Sequence, residues 1–372
     1  MRKVVVFCSD VYTSIGLIRC LGEAGHRPEC VIYGPQRNWT LASRYISKGF
    51  GFDTKEEAIK FLVDEYPTEQ IKPILLTIPD PPAYLVDKYY NLLKYKFILS
   101  NAGEQGRIIY WMNKEHISEL AHKYGFKIPW TIRLSKASPI PKDLKYPVFT
   151  KNVTSSDGGK FDEGICNNYQ ELLDRQQSIT SNEFLVMQYI NRKAEVNYLG
   201  LAIGGKVYID YHDLRERFPK AGYGHYNSFH KVRHDEFYER MICMMKETNY
   251  EGLFDVEFLV DADGSYYFME INFRVDGEVY KLVPGINYPA EWCRLIELPT
   301  NSLPDSLETR KEYIVGITEI EDFKTSVIGG LVNPLKWLVE FLKADKRMMF
   351  NMKDPLPSLV WIGSLFKRRM RL

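Results

Sequence analysis

The sequence predicts an α/β domain, then an α+β region, then a helical C-terminal extension. Three observations carry this. β-Branched apolar runs alternate with helical patterns over residues 1–100, as βαβ units do. Two strand-like segments flank an Asp-Gly turn within 255–274. From 333 onward the chain is amphipathic and basic, with nine Lys/Arg against three Asp/Glu, a net of +6. The 372 residues, 45% hydrophobic and 26% charged, suit about two or three domains with sizeable cores. A net charge of +1 argues against a protein that coats nucleic acid, so no nucleic-acid partner is expected.

Residues 3–7 are a β-branched run fit for a central parallel strand. Asp10 and Arg19 follow too soon for a signal peptide. Residues 14–24 read as a helix stopped by Gly25, and 29–33, 72–78 and 97–99 as further strands of a small doubly wound sheet. The first loop lacks Gly-x-Gly-x-x-Gly, so this domain reads as a scaffold whose strand ends, including Ser9 and Asp10, line a cleft. A helix is expected over 113–124, with Asn113 as N-cap and Gly125 as stop. A second sheet starts at 126–131, with strands at 145–151, 183–189 and 195–203 and a Gly204-Gly205 hairpin turn. A helix over 235–248 precedes the hairpin of 252–261 and 265–274. The six cysteines (8, 20, 30, 166, 243, 293) show no Cys-x-x-Cys, which points to a reduced, cytoplasmic protein. No run of about 20 apolar residues is present to span a bilayer as a helix.

The hairpin carries the strongest chemistry. Strand alternation puts Glu270, Asn272 and Arg274 on one face, and Asp255 and Glu257 on one face of the partner strand. Carboxylates gathered between apolar layers need a cation, and an all-oxygen set suits Mg²⁺. The same pattern also fits a solvated polar face with an Arg–Glu pair. Lys151 ends an apolar strand before Asn-Val-Thr-Ser-Ser-Asp-Gly-Gly-Lys, a loop able to lay backbone N–H groups over phosphates, or an ordinary hairpin tip. Lys114 opens a helix, where a cation opposes the dipole and invites a ligand.

Residues 145–151, the Gly-Gly loop, Val186-Met-Gln-Tyr-Ile190, and Asp255-Val-Glu-Phe-Leu through Phe268-Met-Glu-Ile-Asn-Phe-Arg274 together resemble the ATP-grasp superfamily, in the family's order. D-aspartate ligase, biotin carboxylase and carbamoyl-phosphate synthase types are similar at these segments. The resemblance covers about residues 1–300. It implies an ATP-grasp fold: a Rossmann-like pre-ATP-grasp domain over 1–108, a lid subdomain over 109–185, a catalytic subdomain over 186–304 and an extension over 305–372.

It also implies ATP and Mg²⁺, with Mn²⁺ as a substitute. Glu257, Glu270 and Asn272 would hold the metal. Arg274 would steady the transferring phosphoryl group. Lys114 and Lys151 would touch phosphates, with Ser155, Ser156, Gly158 and Gly159 in the lid loop. Met187, Gln188, Tyr189 and Ile190 would form the adenine hinge, and Glu195 the cleft wall near the sugar. Two departures stand out: Phe273 replaces the usual proline, and Met187 and Gln188 occupy the place of the hinge acid.

The reaction implied is carboxylate–amine ligation through an acyl phosphate; a carboxylase, a kinase-like enzyme and a nucleotide-binding regulator are the alternatives. Residues 210–234 hold Arg215, Arg217, His212, His225 and His230, cations for a substrate carboxylate or the acyl phosphate, or a solvated basic loop. The substrates expected are a carboxylate and an amine, free or glycan-linked, as in joining an amino acid to a cell-envelope or polysaccharide precursor. In the extension, Asn333-Pro334 opens a helix with Leu335, Leu338 and Leu342 on one face, before Lys367-Arg-Arg-Met-Arg371. This suits a cytoplasmic protein peripheral to the inner face of a membrane, or a helix packed on the core with a frayed basic end.

Overall fold

The computed structural model describes residues 1–153, 163–218 and 224–369, with side chains as far as Ser364. Three sheets organise it. The first holds β1 (Val4–Ser9), β2 (Glu29–Tyr33), β3 (Lys48–Phe52), β4 (Ile74–Ile78) and β5 (Ile98–Leu99), in the order β3-β2-β1-β4-β5 with every pairing parallel. β1 is central because it is apolar at nearly every position and buried on both faces. The edge strand β3, Lys-Gly-Phe-Gly-Phe, has no β-branched residue, which is why the pattern did not reveal it.

The second sheet is antiparallel, ordered β6-β9-β7-β8, from β6 (Thr131–Ser135), β7 (Val148–Asn152), β8 (Gly164–Cys166) and β9 (Glu183–Gln188). The third contains β10 (Arg192–Ile203), β11 (Lys206–Arg215), β12 (Tyr226–Lys231), β13 (Gly252–Asp261), β14 (Tyr266–Asn272), β15 (Tyr313–Ile317) and β16 (Lys346–Arg347). Its order is β14-β13-β10-β11-β12-β15-β16. The expected turns are present: Gly204 and Gly205 take positive φ between β10 and β11, and Gly264, at φ 84°, closes the β13–β14 turn by donating to the Asp261 carbonyl.

The seven-stranded sheet has two unlike faces. On one, Val196, Tyr198, Val256 and Phe258 pack beneath the helices Lys114–Lys123 and Glu236–Glu247. The other carries a polar row. Glu270 pairs with Glu257, Glu257 with Asn197, and Asn197 with Asp213, so four adjacent strands line up polar side chains across their width.

Three expectations shift. The helices Arg107–Trp111 and Lys114–Lys123 pack on the seven-stranded sheet, not on the small one expected to own residues 109–185. The small sheet keeps β9 to Gln188, past the expected boundary at 185. The extension is not only helical, because β15 and β16 complete the large sheet. It also crosses back to the first domain, where Arg19 Nε donates to Asp354 Oδ2 at 3.1 Å with both side chains fully buried. The Arg19 guanidinium also donates to the carbonyls of Met348, Met349 and Asp354, and Asp354 accepts from Ser43 and the Arg44 N–H. All six cysteines are free. Among the described residues, no helix is long and apolar enough to cross a membrane.

Candidate active site

The β13–β14 hairpin forms the floor. Its register sets Glu257 directly opposite Glu270, and Asp255 opposite Asn272. Burial pushes the Glu257 carboxyl up to about 8, and the facing carboxylates of Glu270 and Glu195 add to the rise. Burial would raise Glu270 as well, but Lys151 and Lys114 outweigh it and hold that carboxyl at about 2. Within the pair, the lysines favour the charge on Glu270, and burial with the facing carboxylates disfavours it on Glu257.

Lys151 comes from β7 of the other sheet, and its Nζ lies 3.3 Å from Glu270 Oε2. Burial opposes its charge, yet Glu270 and Glu257 together hold its pKa above the ordinary lysine value. Lys114, capped into place by Asn113, reaches the Asn152 carbonyl at 3.3 Å. Burial, then the charge of Lys151, pull its pKa down to about 8. Two lysines from separate elements thus gather at Glu270, with the charge of Glu163 also acting on both, and paired cations of this kind suit a polyanion.

Asn272 donates from Nδ2 to Asp255 Oδ2 at 2.9 Å, which keeps its Oδ1 available as an oxygen ligand. Arg274 donates from Nη1 to Asp255 at 2.6 Å and from Nε to Asp80 at 3.0 Å, with Asp276 at 3.7 Å. Asp80 opens the helix after β4, so this arginine ties the first domain's strand ends to the hairpin. Asp80 and Asp276 escaped the sequence reading. For Asp80 a signal existed, because it follows a parallel strand's C-terminal end, where ligands gather in such sheets.

The remaining expected residues divide. Glu195 is buried and paired with Arg192, with Arg215 at 3.8 Å. Arg215 also donates to Asp213 at 2.8 Å, so it joins the polar row. Asn227, beside it, donates to Asp213 at 2.7 Å and accepts from the buried Lys281, which also pairs with Glu278. Among the described residues, the Asn197 Oδ1 and Asp213 Oδ1 atoms are buried without a hydrogen-bond partner, which marks a place for a polar ligand. β9 leaves the small sheet at Gln188, and residues 189–191 cross to β10, so Met187, Gln188, Tyr189 and Ile190 lie in the segment that links the two sheets. Ser155, Ser156, Gly158 and Gly159 lie outside the described residues.

Two expectations do not hold in their geometry. Arg217 is gripped by Asp322 at 3.1 Å and Glu340 at 2.6 Å, both in the extension, rather than standing free for substrate. His212 and His230 stack on the opposite face of the sheet, in a pocket with Tyr198 and Tyr238, because alternation sends them away from Asp213 and Arg215. His225 packs edge-on against Tyr12 of the first domain.

The donor set fits a hard cation. Two opposed carboxylates and an amide oxygen supply only part of a coordination sphere, and Mg²⁺ takes the rest from phosphate and water. Among the described residues, no group of three or more His, Cys, Asp or Glu is placed to hold a metal ion.

No family model matches the chain. It is 24% identical over 197 residues to an N5-carboxyaminoimidazole ribonucleotide synthase of Staphylococcus aureus, which covers 51% of this chain and 52% of that protein. The chain thus spans about half the length of the curated relatives it matches. Among solved structures it resembles the L-amino acid ligase of Bacillus licheniformis, with TM-score 0.63, 13% identity, and 85% of this chain and 79% of that one covered. N5-carboxyaminoimidazole synthetase of Staphylococcus aureus gives TM-score 0.63 at 16% identity, over 87% and 84% of the two chains. Biotin carboxylase of Campylobacter jejuni gives 0.62 at 15%, over 83% and 74%.

Proposed function

We propose that this chain, which has the fold of the ATP-grasp enzymes just described, is an ATP-dependent carboxylate–amine ligase. The observation that carries the proposal is the opposed Glu257–Glu270 pair, flanked by Asn272 and faced by Lys151 and Lys114 from separate elements. A cleft of this kind neutralises phosphate charge and positions reactants, which is most of what phosphoryl transfer asks of a protein.

In this reading Glu257, Glu270 and Asn272 hold Mg²⁺, which supplies charge neutralisation for the nucleotide phosphates. Lys151 exchanges its contact with Glu270 for phosphate oxygens, and Lys114, whose charge burial disfavours, gains an anionic partner. The hinge backbone at 188–190 holds adenine. The substrate carboxylate attacks the γ-phosphorus and ADP leaves; the amine then attacks the acyl carbon and phosphate leaves. Arg215, set in the polar row with Asp213 and Asn227, orients the substrate. Arg274 positions the hairpin through Asp80 and Asp255. An amino acid joined to a cell-envelope or polysaccharide precursor, in the cytoplasm, is the finer proposal.

The experiment is ADP release with Mg²⁺ATP against a panel of amino acids and uronic acids, beside Glu270→Gln. Release that needs both a carboxylate and an amine, and falls about 10²-fold or more in the variant, is expected. Release indifferent to Glu270→Gln would sink the assignment. The names of two relatives favour a second reading, carboxylation with bicarbonate as the acid; release that needs bicarbonate and no amino acid would select it.

A further inference from the structure

The helix Pro334–Lys343 is apolar on both sides, which is unusual for a surface helix. Its inner side packs: Trp337 stacks on Phe341, meets Phe323, and donates from Nε1 to the buried Asp322 at 2.8 Å. Its outer side holds Leu335, Leu338, Val339 and Leu342 at i, i+3, i+4 and i+7, which are 78%, 47%, 48% and 64% exposed. Ile328, at 73%, and Leu331, at 44%, extend this surface from the preceding segment. A contiguous apolar stripe left in water marks an interaction surface.

Its charge selects the partner. The helix's one acid, Glu340, is turned inward to Arg217 at 2.6 Å with Lys336 at 3.9 Å, while the exposed Lys336 and Lys343 border the stripe; Lys324, before the helix, is paired with Glu321 at 2.9 Å. The outer face of the helix therefore presents leucines and a valine flanked by Lys336 and Lys343, and the chain from 333 to its end carries a net of +6. The geometry points to one occupant: the anionic surface of a lipid bilayer, on which this helix lies flat with its leucine stripe at the acyl boundary and its lysines at the headgroups. This inference does not depend on the catalytic reading.

The test is co-sedimentation of the full chain with vesicles of phosphatidylglycerol in phosphatidylcholine, and with phosphatidylcholine alone. Preferential binding to the anionic vesicles is expected. Leu335→Ser with Leu338→Ser and Leu342→Ser should weaken it about tenfold or more, as should Lys336→Glu with Lys343→Glu. These positions are exposed, so both variants should keep the parent's circular dichroism and melting temperature. Equal binding to both vesicles, no binding, or binding untouched by either variant overturns the inference. So does a dimer, seen by light scattering, that the leucine variant converts to monomer, since a second copy would then cover the stripe.

Discussion

At the scale of single residues, the site is a problem of unequal carboxylates. Glu257 and Glu270 face each other in register, yet only Glu270 has a lysine in contact. Glu257→Gln should therefore disturb the nucleotide-free protein less, since burial and the facing carboxylates already disfavour its charge, whereas Glu270→Gln removes the carboxylate in contact with the buried Lys151. Chemical denaturation should show a loss of about 2–4 kcal/mol for Glu270→Gln and well under half of that for Glu257→Gln. Equal losses would mean the charge is shared. His212 offers a second test. Burial, then His230, lower its pKa to about 4. Between about pH 4 and 6.5 the unfolded chain binds a proton that the folded chain refuses, so this residue's contribution to stability rises with pH across that window. Relative to His212→Phe, the parent should lose up to about 3 kcal/mol as pH falls through it; a gap independent of pH would refute the buried neutral imidazole. The hairpin's acids were legible because alternation and an Asp-Gly turn fix both register and face. Asp276 and Lys281 were not, because they come from segments that no local pattern connects to the hairpin, and Asp80 was marked only by its place after a parallel strand.

At the scale of elements, the unexpected contact is between β11 and the extension. Arg217, just beyond β11, was expected among the catalytic cations, and it is instead the clasp that holds Asp322 and Glu340. Arg217→Ala should cost about 3 kcal/mol in unfolding free energy, since it strips a cation from the fully buried Asp322. Turnover in the proposed ligase reaction should then change by no more than about threefold, whereas loss of a group that stabilises the transition state costs about 10²-fold or more. A large fall in turnover with intact stability would restore the catalytic reading. The same element explains a limit of sequence reading. The strands after 304 are short and belong to a sheet whose other members lie far upstream, so periodicity sees the helix Pro334–Lys343 clearly and passes over β15 and β16.

At the scale of the whole molecule, the chain is closed on itself. Arg19 and Asp354 are both fully buried and meet across the interface of the first domain and the extension. Arg19→Met or Asp354→Leu alone should destabilise by about 3–5 kcal/mol, and the double substitution by clearly less than the sum, because each single change strands the other charge. Additive losses would show two independent sites. The general α/β-then-α+β plan was legible in the alternation of strand and helix signals; this closure was not, because a lone arginine in an amphipathic helix gives no hint of its distant acceptor. The closure also sets a timetable for synthesis. Arg19 leaves the ribosome 335 residues ahead of Asp354. At about 5–20 residues per second, its cation waits roughly 20–70 s for the groups that will enclose it. During translation the helix Tyr12–Glu23 must therefore keep one charged turn hydrated, and the first domain can seal only when the segment around Asp354 arrives.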